Sequence, residues 1–85
     1  MITLDAARLR EKLPAQDYLM KALALPGYYG KNLDALYDCL TDFGETEIRF
    51  VNIDAGADSY FSKVLPVFQE AQEENPRLHL CYDFE

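Results

Sequence analysis

Apolar residues recur along this chain with two different spacings, and the switches between them mark out the elements. Ile2-Thr3-Leu4 alternates over a span that suits a short strand. Asp5 to Arg10 reads as a connection or a single helical turn. Tyr18, Leu19, Met20, Leu23 and Leu25 then form the buried stripe of a helix. Pro14 suits its first position, where a missing N–H costs nothing, and Pro26 and Gly27 end it. In the next helix, Leu33, Leu36, Cys39, Leu40 and Phe43 fall on one side at about 100° per residue. Asn32 is a good N-cap for it, and Gly44 follows its last apolar residue. Glu47 to Ile53 has strand composition, and Asp54 to Asp58 reads as a turn. A helix follows from Ser59 or Tyr60 to Glu74, with Tyr60, Phe61, Val64, Leu65, Val67, Phe68 and Ala71 as its apolar residues. Pro66 either bends this helix or marks its start after a short turn. Asn75-Pro76 stops it, and Leu78 to Tyr82 alternates as a last strand.

The order β, α, α, β, α, β places helical crossovers between strands, which makes the sheet parallel. The expected fold class is α/β: a three-stranded parallel sheet packed by about three to four helices, in one domain spanning residues 1–85.

Composition narrows the functions. With 49% hydrophobic and 13% aromatic residues the chain can build a core. The net charge of −7 repels nucleic acid and anionic membranes, so neither is an expected partner. A basic protein partner fits the charge, and so does plain solubility. Cys39 and Cys81 have no metal-ligand or C-x-x-C spacing and read as buried free thiols, although the sequence leaves a pairing open. The chain opens with no basic segment leading into an apolar run and shows no membrane span, so the cytoplasm is the expected compartment.

One helix face is hard to explain by folding alone. Asp34, Asp38 and Asp42 lie opposite the apolar side at i, i+4 and i+8, flanked by Tyr37 and Thr41. Each adjacent pair of like charges costs a few tenths, about 0.2–0.5 kcal/mol. Asp34 gains from the positive end of the helix dipole, but Asp42 is opposed at the other end. A cationic partner accounts for all three, although the dipole alone accounts equally well for Asp34 and a solvated face is an adequate reading of Asp42. The preceding Tyr28-Tyr29-Gly30 loop is aromatic, and one of its tyrosines covers the helix junction. Glu70, within the acidic run from Gln69 to Glu74, reads first as a solvated face.

The chain does not read as an enzyme. The Asp34–Asp38 spacing imitates an acid–base pair, but so short a chain leaves little room for a cleft beside it. His79 is alone in the last strand, neither cysteine has an evident base, and no Gly-rich phosphate loop is present. No catalytic residue, metal or cofactor is expected.

The run Leu25-Pro26-x-Tyr28-Tyr29-Gly30-x-Asn32-Leu33-Asp34-Ala35-Leu36-x-Asp38-Cys39-Leu40-Thr41 resembles the barstar family. The resemblance extends to Val67–Ala71 and the chain end, and thins over residues 1–13 and 46–60. It implies an intracellular inhibitor that binds a basic secreted ribonuclease of the barnase type one to one, itself a monomer. It also implies an extra short helix after the second strand, reduced or missing in this shorter chain. Carried over by resemblance, Asp38 replaces a substrate phosphate among catalytic Arg and His residues, and Asp34 is a second acidic contact. Tyr28 packs on a catalytic histidine, which leaves Tyr29 to the core. Gly30 lets the backbone approach the partner or adopt a positive φ, Asn32 caps and touches the partner, and Glu70 reaches a rim arginine. Tyr37 and Phe43 stand where the family has tryptophans, Asp42 where it has glycine, and Lys31 where it has an acid. The expected partner-binding set is Tyr28, Tyr29, Gly30, Asn32, Asp34, Tyr37, Asp38, Thr41, Asp42, Phe43 and Glu70. The alternative is an orphan module of the same fold that binds another basic protein, a non-ribonuclease toxin or a regulatory target.

Overall fold

Crossovers of one hand that step the same way across a sheet put their helices on one face. The computed structural model of the chain, which describes residues 1–83, is built this way. Strands β1 (Ile2–Asp5), β2 (Thr46–Val51) and β3 (Leu78–Tyr82) lie in the spatial order β1-β2-β3, all parallel. Leu4 faces Phe50, Ile48 faces Leu80, and Phe50 faces Tyr82 across the sheet. Leu4, Ile48, Phe50 and Leu78 are buried, whereas Thr3, Glu47, Arg49, His79 and Cys81 are exposed. A parallel sheet covered on both faces would need near-continuous apolar strands. Here one face stays open, which is why the strands alternate.

The covered face carries a 3-10 turn (Ala6–Arg8) and helices α1 (Lys12–Ala22), α2 (Leu33–Thr41), α3 (Ile53–Gly56) and α4 (Phe61–Glu74). Phe50 is the centre of the core. The Phe68 ring meets it edge-on at 5.1 Å, Phe61 lies at 5.7 Å, and Tyr82 stacks at 6.0 Å. Edge-on and offset rings suit the aromatic quadrupole. Helices α2 and α4 pack side by side on this core, and their outer edges frame the site described below.

The element order and parallel sheet agree with the sequence reading, and several details do not. Pro14 is the third residue of α1, not the first. It still lies within the first turn, where no intrahelical partner waits for an N–H. The helix stops at Ala22, before Pro26 and Gly27. The chain reverses at Ala24, with φ 52°, while the Leu25 N–H bonds the Met20 carbonyl (2.9 Å) and the Ala24 N–H bonds that of Lys21 (3.3 Å). This is a Schellman closure with alanine at the position that favours glycine, so the sequence carried no stop signal there. Leu23 and Leu25 are buried by the reversal and not by a continuing helix.

Strand β2 ends at Val51, two residues early, because Asn52 turns the chain at φ 55°. Residues expected as a turn form the single-turn α3, so a short helix does follow the second strand. Gly56 makes its packing possible: a Cβ there would lie 2.8 Å from the Ala6 carbonyl oxygen. Helix α4 runs unbroken through Pro66, which removes the alternative of a helix starting there. Pro66 and Ser62 are exposed, so the carbonyl that loses its partner faces solvent. The two cysteines are free, but Cys81 is exposed and Cys39 only half-buried, contrary to the expected buried thiols. Cys81 occupies an outward register position beside Arg49. The final two positions of the expected 1–85 domain lie outside the described residues.

Candidate partner-binding site

Two asparagine side chains fix α2, one at each end. Asn32 Oδ1 accepts the Ala35 N–H at 2.7 Å, satisfying a donor that the first turn would leave unpaired. At the other end, buried Asn75 donates through Nδ2 to the Leu40 and Phe43 carbonyls, both at 2.9 Å. Its Oδ1 accepts the Arg77 N–H at 3.0 Å. The end of α4 therefore closes the end of α2. Gly44 plays no such part: α2 ends at Thr41 with Asp42 as its cap, and no glycine among the described residues has a positive φ.

With α2 so placed, Asp34, Asp38 and Glu70 line one groove of about 320 Å³ between α2 and α4. Leu33, Tyr37 and Val67 are its other walls. All three carboxylates are exposed, and among the described residues none forms an ion pair. Asp34 also borders a second hollow that Lys12 and Lys63 line, but no ion pair closes across it. Half-buried Tyr37 is held above its ordinary pKa first by burial, then by Glu74, Glu70, Asp38 and Glu73. The negative charges that raise it thus come from both helices. Glu73 and Glu74 read as plain solvated residues in the sequence. Their approach to Tyr37 depends on how α4 lies against α2, which local spacing does not encode.

The rest of α2 is less open. Thr41 is half-buried and its hydroxyl donates to the Asp38 backbone carbonyl at 2.9 Å. Asp42 is exposed at the C-cap. Phe43 is half-buried against the core, the packing role its place on the apolar side allows. Cys39, also against the core, has its thiol pushed up first by burial, then by Asp38 and Asp42.

The loop before α2 divides its two tyrosines sharply. Tyr28 is 89% exposed and Tyr29 only 6%. Tyr29 donates its hydroxyl to Gln16 Oε1 and reaches the Asn32 carbonyl at 3.3 Å. Burial first, then Cys39 and Tyr60, keeps that hydroxyl protonated well above the ordinary tyrosine range. The side chain of Tyr29 is therefore a support behind the loop, not a surface group. Gly30 does not take the positive φ that the sequence allowed it. Lys31 does, at 54°, and its Nζ pairs with Asp17 at 2.9 Å. Gly30 instead lies against the cap, where a Cβ would come within 3.2 Å of Asn32 Nδ2. Gln16, 1% exposed, escaped the sequence reading because a lone glutamine in a helix signals nothing by itself.

His79 lies away from this groove and meets Glu45 at 2.8 Å, with both side chains exposed. Among the described residues no group of three or more His, Cys, Asp or Glu side chains is arranged to hold a metal ion. No helix among them is long and apolar enough to cross a membrane.

The chain is also similar to known proteins. A curated relative named "Putative ribonuclease inhibitor YrdF", from Bacillus subtilis (strain 168), is 46% identical over 65 residues, spanning 68% of this chain and 69% of its own. The family model described as Barstar (barnase inhibitor) matches residues 1–82, covering all three strands and both helices of the groove. With that match, this topology and this acidic helix, the chain belongs to the barstar family.

Proposed function

We propose that this protein is an inhibitor of a barnase-type secreted ribonuclease, and that it blocks the enzyme's active site one to one with α2 and the loop before it. The observation that carries this reading is the groove itself: Asp34, Asp38 and Glu70 converge on one exposed hollow and, among the described residues, form no ion pair. A ribonuclease must bind phosphodiesters with fixed Arg, Lys or His side chains. A carboxylate presents two oxygens to such a cluster and takes paired guanidinium hydrogen bonds. In this reading Asp38 stands in for phosphate, Asp34 and Glu70 meet further cations, and exposed Tyr28 with Tyr37 supplies apolar contact. Thr41 and Asp42 lie on the rim, and Asn32 and Gly30 shape the entry to α2. Tyr29 and Phe43 act from behind, through packing. Opposite charge would speed encounter, and binding would weaken as salt rises. The cell that makes the enzyme is the one protected, which places the inhibitor in its cytoplasm.

The test is titration into a barnase-type ribonuclease, following RNA cleavage at low and moderate salt. Inhibition that saturates at one equivalent and is lost with Asp38→Ala supports the reading. A folded protein without inhibition overturns it and leaves a different basic protein as the partner of the same groove.

A further inference from the structure

The partner-binding loop is tied from behind by two neighbouring residues of α1. Gln16 accepts the Tyr29 hydroxyl through Oε1 and donates through Nε2 to the Tyr60 hydroxyl at 2.8 Å. Asp17, next along the helix, holds Lys31 at 2.9 Å. The two ties lie on either side of Gly30, and Tyr29 also reaches the carbonyl of Asn32, the residue that caps α2. Tyr28 is attached directly to the anchored Tyr29 and is fully presented to solvent. Gln16 itself is buried and lies outside the groove.

A buried amide is an expensive way to fill space. Its hydrogen bonds roughly replace those it made with water, whereas an apolar side chain of similar size gains from burial outright. What the amide adds is direction, since its two ends fix both tyrosine hydroxyls and thus the rotation of the Tyr29 ring. A loop held in its bound shape loses less freedom when the partner arrives. We infer that Gln16 is a positioning residue for the partner-binding loop, acting through Tyr29 to preset Tyr28 and the start of α2. This inference rests on the inhibitor reading for the identity of the loop's partner, but the ordering of the loop can be measured without one.

The first experiment is therefore amide hydrogen exchange on the free protein, comparing wild type with Gln16→Leu. The Tyr29 N–H bonds the Pro26 carbonyl at 2.9 Å and reports loop opening, while β2 amides report opening of the core. Protection at Tyr29 should fall about tenfold more than at β2. Tyr29→Phe removes the hydroxyl from the other end and should reproduce the effect, which guards against a poorly folding Gln16 variant. If Tyr29 and β2 amides lose protection together in both variants, Gln16 is merely structural and the inference is wrong.

The second experiment is a double-mutant cycle against a barnase-type ribonuclease. Gln16→Leu should speed dissociation about tenfold. That loss should shrink when Tyr28→Ala is already present and persist in full beside Glu70→Ala. Equal losses in both backgrounds overturn the inference. If wild type does not bind this ribonuclease, the inhibitor reading fails, and the exchange result decides the role of Gln16 alone.

Discussion

Two of the hollows on this small protein are similar in size but use charge in opposite ways. The one beside α1, about 340 Å³, is lined by Arg8, Arg10, Pro14 and Tyr18 among others. Its cations are engaged within the fold. The Arg8 guanidinium sits 4.4 Å from the centre of the Tyr18 ring, and Arg10 Nη1 donates to the Ala55 carbonyl at 2.7 Å. Tyr18 in turn accepts the Asp5 N–H at 3.0 Å. These contacts bind the 3-10 turn to α1 and α3. The hollow between α2 and α4 holds Asp34, Asp38 and Glu70 with no such engagement. Net charge alone does not tell the two apart. The difference is whether the charge has a partner inside the chain: the carboxylates of the α2–α4 hollow have no ion-pair partner among the described residues and stay available to another molecule.

Substitutions can break this comparison at either end. The largest expected effect is on binding: Asp38→Ala should weaken the ribonuclease complex by at least about 2 kcal/mol, roughly 30-fold, as loss of a desolvated central charge does. Thermal unfolding should move little, since the change also relieves repulsion along α2. A large drop in melting temperature would make Asp38 structural. Next comes Asn75→Ala, which leaves the Leu40 and Phe43 carbonyls without their buried donor. It should cost about 3 kcal/mol in denaturant unfolding. A loss under about 0.5 kcal/mol would show that α4 does not hold the end of α2.

Arg10→Ala probes the other hollow. It should lower stability by about 1 kcal/mol through the lost bond to Ala55 and leave ribonuclease affinity unchanged. Weakened binding with intact stability would place the interface at the α1 hollow instead. The smallest effect is Ala24→Gly. Removing Cβ at φ 52° relieves left-handed strain but loosens the unfolded chain, for a net gain of about 0.5 kcal/mol. A destabilised variant would mean that the α1 stop depends on the alanine methyl.

What the sequence disclosed followed from local rules. The N-cap at Asn32 needs only contact within one turn, and the apolar side of α2 needs only helical spacing. Parallel pairing followed from the long crossovers. What stayed hidden depends on distant partners or on unusual residues in ordinary roles. Asn75 caps a helix that ends more than 30 residues earlier, and nothing near it in sequence announces that. Gln16 is buried because Tyr29 and Tyr60 arrive on both sides of it. Ala24 turns the chain without a glycine, and Lys31 takes the positive φ beside one. The acidic face was legible at Asp34, Asp38 and Asp42, but its continuation through Tyr37 to Glu73 and Glu74 required the packing of α4.

The most direct test compares the two hollows in one spectrum. Isotope-labelled protein is titrated with an unlabelled barnase-type ribonuclease while backbone amide shifts are followed. The shifts should gather on Tyr28, Gly30, Asn32, Asp34, Tyr37, Asp38 and Glu70, with Arg8, Arg10, Glu11 and Tyr18 of the α1 hollow unmoved. Shifts gathered instead on those four residues would put the ribonuclease on the α1 hollow and rule out the α2–α4 groove as its site.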